Sequence, residues 1–383
     1  MPIGFAPVFV ATMFTLLFSA ALDAHQEPAP SRRSVDAIFS NLTDVNSPGV
    51  AVLIRKNHQT LFNKGYGVTD PRTKTPITSQ TNFRLASCTK QFTAMAIMLL
   101  VHDGKLRYDE ALTEILPKFP DYGRHITIRN LLNHTSGLPD YESLMNPAVY
   151  GSDSASPPTS QISDAEVLAL LESQTVGSFV PGTKWAYSNS GYVVLGVVVA
   201  RISGQPFEDF LRTRIFEPLQ MTHTVAYVKG KNAVADRAYG HSKEAAILKE
   251  TDQSSTSATL GDGGIYSNLE DLAKWDDALT SHQLLSAAEM QPALTPGVLQ
   301  EAALSPGSTA GTEPQSPSPA SYGFGWFLEL NGPHPHMWHY GETIGFKSAI
   351  LRFTQDDLTI IILANRTDLD PSALAKEIAR VNR

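Results

Sequence analysis

The spacing of apolar positions changes along this chain, and the change divides it into regions. Near the start, VAVLIR and TLFNKGY are short apolar or alternating runs on either side of the polar KNHQ, which predicts a hairpin with strands Val50–Arg55 and Thr60–Tyr66. Before it, SRRSVDAIFSNLT reads as a short helix. Near the end, YGFGWFLEL, FKSAILRF and LTIIILA predict three further strands, and PSALAKEIARVN predicts a closing helix with Pro371 in its first turn. Between these ends, CTKQFTAMAIMLLVHDGKL, DAEVLALLESQ, GYVVLGVVVARISG and FEDFLRTRIFEPL carry apolar residues at helical spacing, with Gly104 and Gly204 as C-terminal caps. Strands at both termini around a helical middle predict an α+β fold: an antiparallel sheet assembled from distant segments and flanked by terminal helices, with a mostly helical domain inserted. The sheet domain would take residues 35–85 and 262–383, and the helical domain residues 86–261.

The first residues read differently. From Pro2 to Leu22 no residue is charged, and the run ends in the small residues Ser19, Ala20 and Ala21, the pattern of a secretory signal over residues 1–21. It carries no Lys or Arg before the apolar run, so retention as an N-terminal anchor stays open beside cleavage; either outcome implies export, to the periplasm or the medium. Residues 22–34 form a polar linker. Gly151–Ser160 and Ser305–Ser321 are rich in Ser, Pro and Gly and read as loops.

Composition narrows the partners. A formal charge of -8 over 383 residues leaves no basic surface for phosphates, which argues against nucleic acid or an anionic membrane face. One cysteine allows neither an internal disulfide nor a thiolate metal cage. Neither G-x-S-x-G nor a Gly-rich phosphate loop occurs, which argues against an α/β-hydrolase and a nucleotide enzyme. No cofactor is expected.

The candidate chemistry lies in three short motifs. RLASCTKQF holds the chain's one S-x-x-K, Ser87 and Lys90, at the start of a strongly helical segment. Three positions on a helix share a face, so the Lys90 amine can reach the Ser87 hydroxyl, an activated-nucleophile arrangement. About one hundred residues on, Tyr187, Ser188 and Asn189 precede an apolar helix, and near the C-terminus His339, Tyr340 and Gly341 stand beside strands. Two of these motifs have duplicates. Tyr266, Ser267 and Asn268 repeat Y-x-N, but Ser267 with Glu270 reads as a capping box; His102, Asp103 and Gly104 repeat H-x-G, but at a helix end.

The ordered set S-x-x-K, Y-x-N, H-x-G resembles the serine β-lactamase and D,D-peptidase superfamily, in its β-lactamase-related branch with class C enzymes, D-aminopeptidases and related esterases. LLNHTSGLPDY, RIFEPLQM, GDGGIYSNLEDLAKW, YGFGW and LANR are similar to stretches usual in that branch. The resemblance implies a β-lactamase/transpeptidase-like fold and a serine hydrolase acting through an acyl-serine intermediate on ester or amide bonds: D-amino-acid peptides, small esters, and β-lactams weakly. It implies that Ser87 attacks, that Lys90 keeps its proton mobile, and that Tyr187 serves as general base and then acid, a role for which a nearby ammonium must lower its pKa. Asn189 would hold the acyl-side amide, and the backbone N–H groups of Ser87 and Glu342 would form the oxyanion hole. His339 and Gly341 belong to the substrate-binding strand. His339 departs from the lysine of class C β-lactamases, so recognition of a substrate carboxylate should be weaker. The partner is then a small ester or amide or a peptidoglycan-type peptide, with a membrane contact only if the signal is retained.

Other features invite blander readings. His334, His336 and His339 are close enough to begin a metal site, but Pro333 and Pro335 break the strand and no carboxylate stands near, so no metal is expected. Cys88 neighbours the nucleophile but points about 100° away and reads as a small core residue. Tyr141, Tyr150, Trp185, Tyr322 and Trp326 are cleft or core aromatics, and segments 141–163 and 295–322 are candidate specificity loops. A non-catalytic module of the same fold, binding peptidoglycan or a partner protein, is the alternative to an enzyme.

Overall fold

The computed structural model describes residues 1, 2, 4, 32–42, 44, 46–151, 160–245, 247–299 and 321–382. The expected signal segment lies almost wholly outside the described residues, as do most of the linker and the loop segments 152–159 and 300–320. Among the described residues no helix is long and apolar enough to cross a membrane.

The chain forms eleven described strands: β1 (Val50–Lys56), β2 (Gln59–Tyr66), β3 (Phe83–Arg84), β4 (Val225–Ala226), β5 (His241–Glu244), β6 (Ile247–Glu250), β7 (Ile265–Ser267), β8 (Phe327–Glu329), β9 (His336–Thr343), β10 (Phe346–Phe353) and β11 (Leu358–Ala364). Six of them make one antiparallel sheet in the order β2-β1-β11-β10-β9-β8, so the N-terminal hairpin adds to the C-terminal strands through β1 and β11. This is the mixed fold of helices and antiparallel sheet expected from the sequence, built from segments about 300 residues apart.

Both faces of the central strands are covered, which is why LTIIILA reads as a continuous apolar run and not as an alternation: all seven residues of β11 are buried. Val50, Val52, Ile54, Ile360 and Ile362 face one core with Val35, Phe39, Ala375 and Ile378 of the terminal helices Arg32–Ile38 and Pro371–Asn382 and the turn after the first. Leu53, Ile350, Ile361 and Leu363 face the other, larger core, which contains the helices Lys90–His102 and Asn189–Ser203. Each fully buried Ile or Leu contributes about 1.5–3 kcal/mol.

Local details differ from the sequence pattern in instructive ways. The hairpin turns on Asn57 and His58, both at positive φ (51° and 61°), so each strand runs one residue further than expected. YGFGWFLEL yields only the short β8, because Gly325 at φ 77° turns the chain and lets Tyr322 bridge to Phe327. β9 carries the H-x-G motif within a strand rather than beside one; its polar content and preceding prolines hid it. The middle region also contains the hairpin β5–β6. The helix at 269–280 is capped by Asn268, whose side chain accepts from the Asp271 N–H at 2.9 Å, and not by Ser267; Glu270 accepts instead from the Ser79 hydroxyl at 2.6 Å.

Candidate active site

Ser87 lies in a 3₁₀ turn, Ala86–Thr89, that runs into the helix Lys90–His102. Side chains three apart on a 3₁₀ turn eclipse, which brings Lys90 Nζ to 3.1 Å from Ser87 Oγ. Ala86, just before the nucleophile, has φ 47°, a left-handed conformation unusual for a residue with a Cβ and one that marks local strain. Gly341 explains how β9 comes so close: a Cβ there would meet the Leu85 carbonyl oxygen at 2.1 Å, so only glycine allows the strand to lie on the turn.

Tyr187 and Asn189 reach the same point from about one hundred residues further along the chain. Ser188 caps the helix Asn189–Ser203, its hydroxyl accepting from the Gly191 N–H at 3.1 Å. Tyr187 precedes that cap and Asn189 begins the helix. Lys90 Nζ donates to Asn189 Oδ1 at 2.9 Å and to the Asp262 carbonyl at 2.9 Å, which with Ser87 makes three acceptors for one amine. Lys90 is fully buried, and burial lowers its pKa from 10.5 to about 8 against the opposing charges of Asp262, Cys88 and Glu142.

Tyr187 differs from expectation in its chemistry. Burial raises its pKa well above 10, and the hydrogen bond with Ser87 opposes this only in part. The Lys90 amine lies 4.9 Å from its ring centroid, yet this proximity does not offset burial. Tyr187 therefore stays protonated near neutral pH, and the amine whose pKa has moved toward neutrality is Lys90.

His339 is fully buried, and burial followed by the Lys90 charge lowers its pKa to about 3, so the ring is neutral. Nδ1–H donates to the Tyr340 carbonyl at 2.6 Å, and Nε2 accepts from the Tyr322 hydroxyl at 2.9 Å. His339 thus sits behind the cavity wall and holds Tyr322, rather than presenting a partial charge to a substrate. His336, three positions earlier, faces the opposite side of β9, so the three histidines do not converge.

A cavity of about 360 Å³ opens over this group, lined by Ser87, Asn189 and Glu342 together with Arg84, Tyr141, Glu142, Tyr150, Asp262 and Gly263. Ser87 and Glu342, the two oxyanion-hole candidates, thus share one cavity. Tyr141 and Tyr150 line it as well, whereas Trp326 is core. The Cys88 thiol is fully buried and pushed up to about 12, which makes it a poor nucleophile.

Several residues of the site were not singled out from sequence. His134 is buried at φ 62°, accepts from the Ser188 N–H at 3.1 Å, and packs with its ring tilted against those of Tyr187 and Tyr322, each centroid 4.4 Å away. Its pKa falls well below 6.5 through burial, with Lys90 and His339 adding to the shift, so this ring is neutral too. Asp262, Glu142 and Arg84 belong to no spacing motif of their own. His134 and Asp262 were visible only as members of LLNHTSGLPDY and GDGGIYSN.

The profile of the Beta-lactamase family matches residues 35–382. The chain belongs to the Beta-lactamase family. Penicillin-binding protein 4* of Bacillus subtilis (strain 168) is 31% identical over 351 residues, covering 88% of this chain and 72% of that protein. The penicillin binding protein from Bacillus halodurans superposes with a TM-score of 0.73 at 25% identity, over 91% of this chain and 98% of that one. The D-amino acid amidase from Ochrobactrum anthropi SV3, solved with L-phenylalanine amide, has a TM-score of 0.71 at 25% identity, over 91% and 96%. This Beta-lactamase family member therefore shares its fold with penicillin-binding proteins and with an amidase.

The shifted groups predict a pH–rate profile. With Lys90 as the proton acceptor, kcat/KM for an uncharged ester should rise with pH through about 8, with no inflection near 6.5 from His339 or His134. Stability should follow the same group: between about 8 and 10.5 the unfolded chain holds a proton that folded Lys90 has shed, so this contribution raises stability as pH increases. Rates and denaturant midpoints measured from pH 5 to 10 check both signs; a limb at pH 6–7 would assign the base elsewhere.

Proposed function

We propose that this chain is an exported serine hydrolase that cleaves ester or amide bonds through an acyl-serine intermediate on Ser87, taking D-amino-acid peptides and amides or small esters, and β-lactams weakly. The observation that carries the reading is the 3.1 Å contact between Ser87 Oγ and a buried amine whose pKa is near 8. In its neutral form Lys90 takes the Ser87 proton as Oγ attacks the carbonyl carbon. The backbone N–H groups of Ser87 and Glu342 receive the oxyanion. As the tetrahedral species collapses, the Tyr187 hydroxyl gives its proton to the leaving group and recovers one from the Lys90 ammonium. Water then attacks the acyl carbon and the same groups run in reverse to release the acid and regenerate Ser87.

The substrate range follows from what surrounds the nucleophile. A neutral, buried His339 supplies no fixed charge for the carboxylate of a β-lactam, which favours poor turnover of such compounds. The structural likeness to a D-amino acid amidase supports the amide branch of the reading. Export rests on the uncharged apolar segment at residues 2–22.

A fluorophosphonate probe and benzylpenicillin, followed by intact-mass and peptide spectrometry, test the proposal. One adduct on Ser87 is expected, absent from Ser87→Ala. Labelling that persists in Ser87→Ala, or a lack of turnover on esters and D-alanyl peptides alongside measurable peptide binding, would replace the hydrolase by a binding module.

A further inference from the structure

Among the described residues, four charged side chains line the cavity: Arg84, Glu142, Asp262 and Glu342. They are not equally compensated. Glu342 lies 3.3 Å from the Lys347 ammonium. Arg84 donates to the carbonyls of Gly263 and Ser257, each at 3.1 Å, leaving Nη1 buried and unpartnered. Glu142 and Asp262 form no ion pair with a cation among the described residues. Asp262 is only 6% exposed; one carboxylate oxygen accepts from the Tyr141 hydroxyl at 3.4 Å, and the other, Oδ1, is buried with no hydrogen-bond partner. A buried carboxylate oxygen without a donor is costly, and the cost is removed by a donor arriving from the cavity.

The position of these carboxylates relative to the nucleophile is specific. Glu142 accepts from Asn189 Nδ2 at 3.3 Å, Asn189 Oδ1 accepts from Lys90, and Lys90 donates to Ser87. Asp262 is tied to the same amine through its carbonyl. With Asn189 on the acyl-side amide, as the family resemblance implies, both acids stand on the acyl side of the reacting carbonyl. Partial desolvation raises the Glu142 carboxyl, the charges of Asp140 and Asp262 raise it further, and the Asn189 hydrogen bond and the Lys90 charge offset this only in part, a repulsion that a further cation between the acids relieves.

We propose that the acyl side of this cavity is an ammonium site formed by Glu142 and Asp262, so that the preferred substrates are amides, peptides or esters whose acyl part is an amino acid with a free α-amino group. This rests on the acyl-serine reading of Ser87. An α-amino nitrogen lies two bonds from the carbonyl carbon under attack, so it enters the space between Asn189 and the two carboxylates while Ser87 reaches the carbonyl. N-acylated residues lose the charge and add bulk there. Arg84, whose Nη1 is buried without a partner, also lines the cavity and makes carboxylate recognition the competing outcome.

Matched substrates test it: D-alanine p-nitroanilide against N-acetyl-D-alanine p-nitroanilide, with p-nitrophenyl acetate as a reference for chemistry at Ser87. In the wild type the free amine should be preferred by about tenfold or more in kcat/KM, chiefly through KM. Glu142→Gln and Asp262→Asn should each reduce that ratio by about tenfold, whatever either does to the acetate rate. The proposal is overturned by equal or better turnover of the acetylated substrate, by a ratio unchanged in both variants, or by a preference for substrates with a free carboxylate that vanishes in Arg84→Gln. Calorimetric binding of D-alaninamide against N-acetyl-D-alaninamide separates this from the hydrolase reading. If no adduct forms on Ser87 and nothing is turned over, that reading fails; tighter binding of the free amine, weakened in Glu142→Gln, still supports the ammonium site, and equal binding removes it.

Discussion

Replacing Lys90 by methionine is expected to lower kcat/KM for a p-nitrophenyl ester about 10³-fold, the scale of losing a positioned proton acceptor, while the protein stays folded. The two halves of this result have one cause. Lys90 is fully buried with no carboxylate in ion-pair contact among the described residues, and its pKa of about 8 means that carrying its charge near neutral pH costs about 3 kcal/mol relative to water. Methionine fills a similar volume without that cost, which compensates for the donors lost by Ser87, Asn189 and the Asp262 carbonyl. Thermal unfolding should therefore show a midpoint within a few degrees of the wild type. Esterase activity within tenfold of wild type would remove Lys90 from the chemistry.

The largest stability effect is expected far from the cavity, at Asp276. Its carboxylate lies under the sheet and takes Arg352 Nε at 2.7 Å, Arg55 Nη1 at 3.3 Å and the Thr359 hydroxyl at 2.8 Å, binding the helix Leu269–Thr280 to β10, β1 and β11. Both guanidinium groups are nearly enclosed, with side chains 9% and 6% exposed. Asp276→Ala leaves the enclosed Arg352 guanidinium with no carboxylate among the described residues and Arg55 with Asp277 alone, and should lose about 3–5 kcal/mol by denaturant titration. Asp277 offers the contrast: it pairs with Arg55 at 2.8 Å, but its side chain is 48% exposed, so Asp277→Ala should lose less than about 1 kcal/mol. Equal losses at the two positions would show that burial is not what makes the Asp276 pairs matter.

Much of the molecule is legible along the chain because its local rules agree with its fold. The hairpin β1–β2, the strands β10 and β11 and the closing helix follow from apolar period and turn residues. The order of S-x-x-K, Y-x-N and H-x-G points to the catalytic group, and the structure brings Ser87, Lys90, Tyr187 and Asn189 to one point. What escapes the pattern is polar and buried. β9 reads as irregular because His339 and Gly341 stand where a strand facing a core ordinarily carries apolar residues.

The roles of these residues belong to a different level. A lysine, a tyrosine and a histidine can be found by spacing, but their protonation depends on how much water and charge surround them, and those neighbours come from segments one hundred to two hundred and fifty residues away. Burial brings Lys90 down toward neutrality, keeps Tyr187 protonated, and makes His339 a neutral prop for Tyr322 instead of a partly charged substrate contact. Asp262 illustrates the same division. As one acid in a glycine-rich loop it carries no signal, and only the fold sets its carbonyl on Lys90 and leaves a buried carboxylate oxygen unpartnered at the cavity wall. Linear order, with the turn and helix signals that accompany it, determined the family and the candidate residues. The tertiary structure alone decided their charge states and the side of the cavity that carries the acids, because solvation and Coulomb interactions act through space and not along the chain.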